Sequence, residues 1–410
     1  MDIILVFLAT IILISIAGLL FRPPPFLTLT GGALFFGLLT GGSLDSVLIQ
    51  VTTGIGKTFA TFAILILSGA VIAKVLVAEG SVQGIVADVR RFSRNSGIIS
   101  GVSAYLLAIP IACCITSFII LTPIVKHLEE EPAKRNALLY VAGLSSVISF
   151  ALIFPDPVVI PALNLVPDFS PVTYDLLAIP VSLAILAAVI WWGRSASRTE
   201  EPAGTPPERF HLKGWAPFIV IVCAIPVGLY GFRLSHLSLL SFIMLAGMIT
   251  ALGLATPGKR VPGFTDGAKH AGVILFDICG AGALGFIFVE SGLASQAFSS
   301  LQGMVPLLFV PFLFAVLIQT AQGSRLVTAV ITADILAGSA VVSAFHPFAL
   351  ILAIAGGACI LSYVTDPYFW IIQKATGDDV MTVIRRYTVP LAGIGVVLFA
   401  VAVGVQMVTG

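Results

Sequence analysis

The most constraining feature of this chain is a duplication built from interrupted apolar segments. Phe154-Pro155-Asp156-Pro157 sits inside one apolar stretch, and Val364-Thr365-Asp366-Pro367 sits inside another about 210 residues later. At a similar offset, Gly69-Ala70-Val71-Ile72-Ala73 and Glu79-Gly80 are echoed by Ala281-Gly282-Ala283-Leu284-Gly285 and Ser291-Gly292. A third echo pairs residues 111–122 with 318–329. Two similar halves, each with a proline-broken apolar segment at the same place, form the pattern of a secondary transporter whose binding site lies between its repeats.

With 58% hydrophobic and 10% charged residues in 410, the chain has more apolar surface than a water-soluble protein of this length can hide. Long uncharged runs recur from end to end, which implies an all-α polytopic membrane protein. The N-terminus, from Met1-Asp2-Ile3, lacks a positive region and a cleavage site, so the first apolar run reads as a retained span. No basic tract suggests nucleic acid. The five cysteines show no Cys-x-x-Cys or Cys/His spacing, which argues against disulfides and structural zinc. Gly-x-Ser-x-Gly and His-Glu-x-x-His are absent. These patterns predict a protein that is neither an enzyme nor a holder of a cofactor or a tightly bound metal.

Apolar segments fall near 3–21, 26–42, 58–79, 97–125, 137–165 and 175–193. They recur near 215–231, 236–255, 271–290, 305–335, 348–372 and 388–408. The stretch 194–213, with Thr199-Glu200-Glu201-Pro202 and Pro206-Pro207-Glu208-Arg209, reads as a cytoplasmic linker between a first repeat over 1–193 and a second over 214–410. The fourth segment of each half, about 97–125 and 305–335, is too long for a plain span at roughly 1.5 Å per residue and has a small, polar middle. Each is expected to be a re-entrant hairpin, followed by a broken helix at about 137–165 and 348–372.

Five crossings per half then insert the two halves in opposite orientations, as inverted repeats. With both termini outside, Arg22, Arg90, Arg91, Arg94, Lys126, Lys134, Arg135, Arg194, Arg198, Arg209, Lys213, Lys259, Arg260, Lys269, Lys374, Arg385 and Arg386 face the cytoplasm. The outer loops keep only Lys57 and Arg233.

Two hairpin tips and two Asp-Pro interruptions expose half-helix N-termini, whose unpaired N–H groups attract anions without any lysine. Asp156 before Pro157 and Asp366 before Pro367 have the order of an N-cap followed by proline at the first helical position. Each aspartate either caps its half-helix, or binds Na+ or carries a coupling proton, or does both. Thr116 and Ser117 are expected to cap the second arm of the first hairpin, and Gly323 and Ser324 that of the second. Cys113, Cys114, Gln319, Thr320 and Gln322 are candidates to line the cavity at the tips.

Arg325 is the sharpest residue, because an intramembrane arginine must be paired or hydrated. Its guanidinium suits a substrate carboxylate, and the alternative is an ion pair with Asp334 or Glu290. Asp277 lies inside the ninth segment and Lys74 in its repeat partner. Asp277 is either part of a buried pair or a coupling group.

These residues give the chain a resemblance to the gluconate permease family of the wider ion transporter superfamily, gluconate:H+ symporters, running over most of its length. Gly54-Ile55-Gly56-Lys57-Thr58 with Glu79-Gly80 looks like that family's early Gly-rich motif. Gly323-Ser324 with Thr328-Ala329 resembles its Gly-Ser-Ala-Thr hairpin motif, and Thr365-Asp366-Pro367-Tyr368-Phe369-Trp370 its Asn-Asp-Ser-Gly-Phe-Trp motif. The chain departs from the family where Arg325 replaces a small residue and where Phe154-Pro155-Asp156-Pro157 replaces a Pro-Pro-His-Pro-Gly-Pro run. The acidic residue that gluconate carriers have near 113–117 is also missing.

The resemblance implies a scaffold and a transport domain per subunit, a homodimer and elevator-type alternating access. The expectation is a carrier in the cell (inner or plasma) membrane that couples a small organic anion to H+ or Na+. Arg325, Ser324, Gly323, Gln322, Thr320, Thr116, Ser117, Cys114 and Thr365 would serve the anion, and Asp366, Asp156 and Asp277 the ion. The alternative is a cation/proton antiporter exchanging at Asp277 and Asp366.

Overall fold

The computed structural model describes residues 3–21, 23–93, 95–196, 210–293, 296, 306–363 and 365–409. Met1, Asp2, Arg22, Arg94, Arg198, Arg209, Val364 and most of the proposed linker, including Glu200 and Glu201, lie outside the described residues. The first half contains α1 (Ile3–Leu20), α2 (Pro25–Leu39), α3 (Leu44–Glu79), α4 (Ser81–Phe92), α5 (Ser96–Ile111), α6 (Cys114–Lys126), α7 (Pro132–Leu152), α8 (Val159–Asn164) and α9 (Pro171–Trp192). The second contains α10 (Leu212–Gly231), α11 (His236–Leu254), α12 (Pro257–Glu290), α13 (Phe309–Gln322), α14 (Arg325–Leu336), α15 (Ala340–Ser343), α16 (Pro347–Ile360), α17 (Pro367–Thr376) and α18 (Val380–Thr409). Among the described residues, seven helices are long and apolar enough to cross a membrane. Polypeptide in lipid must satisfy its own backbone polar groups, which leaves helices as the solution for a chain of this composition.

The longest helices are α3 and α12, at 36 and 34 residues. Both are longer than the apolar runs that announce them, and this corrects the placement of Lys57 in an outer loop and of Lys259, Arg260 and Lys269 in an inner one. Ser43 starts α3 by accepting a hydrogen bond from Ser46 N–H at 3.2 Å, and the helix then runs unbroken through Lys57. Glycines make room where α3 crosses α12. A Cβ at Gly54 would collide with the Gly282 carbonyl, and one at Gly263 would come within 2.9 Å of Val75. The two helices therefore lie antiparallel with backbones in contact. Glu79, at the end of α3, ties that end to the start of α12: its carboxylate accepts from Thr256 N–H and Oγ1, each at 3.1 Å, and pairs with Lys259 at 3.7 Å.

The fourth segments are interrupted as expected. In the first, α5 stops at Ile111, Ala112 turns at φ 51°, and α6 begins at Cys114. In the second, α13 stops at Gln322, Gly323 turns at φ 77°, and α14 begins at Arg325. The following segments break too, between α7 and α8 and between α16 and α17. Nearly every residue of α7 from Leu138, and of α16 from Phe348, is buried. In contrast α9 and α18 present exposed Leu176, Leu183, Val389 and Val396, suited to lipid. The interrupted elements thus occupy the protein interior, where irregular backbone is tolerated at membrane depth.

Candidate functional site

At the second hairpin tip, Ser324 caps α14, its Oγ accepting from Val327 N–H at 3.5 Å. Gln319 braces the turn: its amide donates to the Gly323 carbonyl at 2.9 Å, and its carbonyl oxygen accepts from Thr328 Oγ1 at 2.8 Å. The tip lies directly on the break between α16 and α17, since a Cβ at Gly323 would come within 2.5 Å of Asp366 Cα. Asp366 caps α17 as expected, Oδ1 accepting from Tyr368 N–H at 2.8 Å, with Pro367 in the first turn.

Its other oxygen, Oδ2, accepts from the Ser362 hydroxyl and from Arg325 Nη2, the latter at 3.1 Å. Arg325 Nη2 also donates to Tyr387 Oη at 3.0 Å. Arg325 is 4% exposed and Asp366 1%, so the pair is closed to water. Arg325 therefore forms an ion pair, but with Asp366 rather than Asp334 or Glu290. The Nε of this guanidinium has no hydrogen-bond partner among the described residues, so it can donate to a carboxylate ligand without separating the pair. Thr320 and Thr365 sit at the open edge of this tip, joined by Thr365 Oγ1 donating to the Thr320 carbonyl at 3.1 Å. The Gln322 side chain lies outside the described residues.

The first tip differs in detail. Cys113, not Thr116 or Ser117, caps α6, its Sγ accepting from Thr116 N–H at 3.4 Å. Thr116 Oγ1 donates to the same sulfur and lies 3.0 Å from His270 Nε2 of α12. Ser117 turns back to the Cys114 carbonyl at 3.0 Å and is fully buried. The thiol wins the cap because it sits one residue outside the helix, where an acceptor can face the free N–H groups, while Thr116 and Ser117 already lie in the first turn.

Asp156 corrects a second expectation. Its Asp-Pro order matches that of Asp366, yet α8 starts only at Val159 and has no side-chain cap. The backbone carbonyl of Asp156 accepts from Val159 N–H at 3.2 Å, which leaves the side chain out of the capping geometry. Its carboxyl is fully buried, and neither oxygen has a hydrogen-bond partner among the described residues.

The two assemblies meet. Phe118 of α6 packs edge-on against Tyr368 of α17 at 5.5 Å, and Tyr368 against Tyr387 at 5.6 Å. The Tyr368 hydroxyl lies 2.8 Å from Ser146 Oγ of α7. Cys114 is within electrostatic reach of Arg325, Asp366 and Asp156. Farther along, Asn136 and Tyr140 of α7 donate to the Asp378 carboxylate at 2.9 and 2.7 Å. The N-termini of α6, α14 and α17 are thus gathered at one buried centre.

The centre brings together Arg325, Ser324, Gly323, Asp366, Thr365, Thr320, Cys114 and Thr116, with Asp156 beside Cys113. Asp277 does not join it. Its carboxylate instead faces the backbone of Phe26 at the first turn of α2. Tyr387, Ser362 and His270 belong to the centre and carry no mark in the sequence. Tyr387 lies 62 positions from Arg325, in the π turn Ile384–Thr388 near the start of α18.

Comparison with known proteins agrees with this architecture. The family description "GntP family permease" matches residues 1–206 and 236–408. The chain is 24% identical over 403 residues to the low-affinity gluconate transporter of Escherichia coli (strain K12), covering 90% of each chain. It is 24% identical over 423 residues to the Gnt-II system L-idonate transporter of the same strain, covering 93% of this chain and 94% of the relative. It is 25% identical over 440 residues to the gluconate permease of Zymomonas mobilis subsp. mobilis, covering 97% and 96%. The crystal structure of the Alcanivorax borkumensis YdaH transporter, which has an unusual topology, shares the fold with a TM-score of 0.60 at 16% identity, covering 94% of this chain and all of that one. With that family covering nearly all of its length, the chain belongs to the GntP permeases, as a multi-pass membrane transporter and not an enzyme.

Proposed function

We propose that the chain is a secondary active transporter of a sugar acid of the gluconate or idonate kind, driven by H+ or Na+. The observation that carries this reading is the meeting of α14 and α17, N-terminus to N-terminus, across the buried Arg325–Asp366 pair. Positive dipole ends and a guanidinium favour an anion there, while Asp366 keeps the empty site neutral. Substrate carboxylate takes the place of Asp366 on Arg325, and the hydroxyls of Thr320, Thr365, Ser324 and Thr116 line its approach, together with Gly323 and Cys114. Such an exchange raises affinity only for ligands that bring their own negative charge.

Asp156 is the proposed coupling group. A buried carboxylate without hydrogen-bond donors costs several kcal/mol, so it is balanced by a proton or a bound cation. Asp366, released by Arg325 when substrate binds, becomes the second group able to take a proton or Na+. We read the halves 1–193 and 214–410 as inverted repeats, with 194–213 cytoplasmic and both termini outside, and the protein as a homodimer. The α3–α12 pair forms the fixed frame against which the tips move in an elevator cycle.

Purified protein in proteoliposomes tests the reading. D-gluconate should accumulate above the external level under an inward proton or Na+ gradient, and an ionophore that collapses the gradient should abolish the accumulation. PH-dependent Na+ flux without gluconate uptake would instead support the antiporter.

A further inference from the structure

Away from the Arg325–Asp366 centre, a cavity of about 200 Å³ opens where α3 and α12 face α8 and α14. Lys57, Thr58 and Thr61 of α3, Asn164 of α8 and Asp334 of α14 supply its polar lining, and Phe286 of α12 forms an apolar wall. Lys57 belongs to the Gly54-Ile55-Gly56-Lys57-Thr58 stretch, for which the central cluster has no use. Its ammonium is held 4.2 Å from the centre of the Phe286 ring, a cation–π placement that keeps the charge at the cavity wall. Asp334 has Lys57 as its charged neighbour, yet no ion pair within 4.0 Å joins them among the described residues. The cavity therefore sets a lysine and an aspartate near each other without an ion pair, with an amide and two hydroxyls.

We propose that this cavity is a second binding site for one molecule of a polyhydroxy carboxylate, with the carboxylate on Lys57 and the hydroxyls donating to Asp334 and Asn164. The inference rests on the transport reading above and deepens it. A dicarboxylate without hydroxyls would set a negative charge against Asp334, and a neutral polyol would leave Lys57 unanswered, so both are rejected. The volume suits a small hydroxy acid: at ~30 Å³ per water it has room for about six or seven waters. The same helix serves both sites, because Asp334 follows Arg325 by nine residues, about 13.5 Å along α14. A sugar acid resting here lies on the seam between the α3–α12 pair and the second hairpin, one helix length from the centre.

The test uses the full chain in proteoliposomes carrying Thr61→Cys, with labelling of position 61 by a maleimide read by mass spectrometry of its peptide. D-gluconate at ten times its half-protecting concentration should slow labelling about tenfold, and neither sorbitol nor succinate should slow it. Protection should disappear when Asp334→Asn or Lys57→Gln is added, and should persist when Arg325→Met and Asp366→Asn together disable the centre. Equal protection by sorbitol or succinate, survival of protection in both Asp334→Asn and Lys57→Gln, or loss of protection with the disabled centre would each overturn the second site. Absence of protection in a protein that still accumulates gluconate would overturn this site and leave the transport reading standing. If gluconate does not accumulate at all, the transport reading is what fails.

Discussion

Breaking the Arg325–Asp366 pair from one side should cost far more than removing it whole. In Asp366→Asn, the new side chain can still cap Tyr368 N–H with its carbonyl oxygen. Its amide then faces two donors, Arg325 Nη2 and the Ser362 hydroxyl, where Oδ2 had accepted from both. The guanidinium, only 4% exposed, keeps its charge without a counter-ion. Removing one member of a buried pair costs about 3–5 kcal/mol, and Arg325→Met should cost a similar amount by stranding Asp366. The double variant has no stranded charge. It loses mainly the hydrogen bond to Tyr387 and that from Ser362, each worth about 1 kcal/mol. The cycle should therefore be non-additive by at least about 3 kcal/mol, the upper end of what contacting residues show. Reversible unfolding in mixed dodecylmaltoside and SDS micelles, followed by tryptophan fluorescence, measures it, with Trp370 four residues from the site. Additive losses, or an Asp366→Asn protein as stable as the wild type, would mean that Arg325 and Asp366 do not form a closed pair.

Gly323→Ala should fold poorly or lose uptake, since φ 77° costs an alanine about 1–2 kcal/mol and its Cβ would press on Asp366; detergent elution and gluconate uptake check this. Tyr387→Phe leaves one guanidinium donor unpaired and should lower stability by about 1–3 kcal/mol in the same unfolding experiment, whereas an unchanged midpoint would remove Tyr387 from the site.

The interruptions were readable because lipid restricts what can break a helix. Gly323-Ser324 and Asp366-Pro367 carry left-handed and capping chemistry in adjacent residues, and the structure uses both as expected. Asp156-Pro157 carries the same signal and misleads, because capping depends on where the next turn starts, and Val159 N–H is already taken by a backbone carbonyl. Lys57 misleads in the other direction. A charge just ahead of an apolar run suggests a loop, but α3 starts earlier, Gly54 admits α12, and the lysine stays helical. The partners of Arg325 were beyond reach of any local pattern: Asp366 is 41 positions away and Tyr387 62. His270 meets Thr116 across 154 positions. Pairings at such separations follow from how the two halves pack, and local spacing does not encode that.

Ion and anion are joined through the Asp156 carboxyl, which is buried and has no hydrogen-bond partner among the described residues. Asp156→Asn keeps its shape and removes its ability to hold a proton or cation. In proteoliposomes this variant should still exchange labelled gluconate for unlabelled gluconate across the membrane, and should fail to concentrate it under an imposed gradient. Gradient-driven accumulation at the wild-type level in the variant would contradict the account.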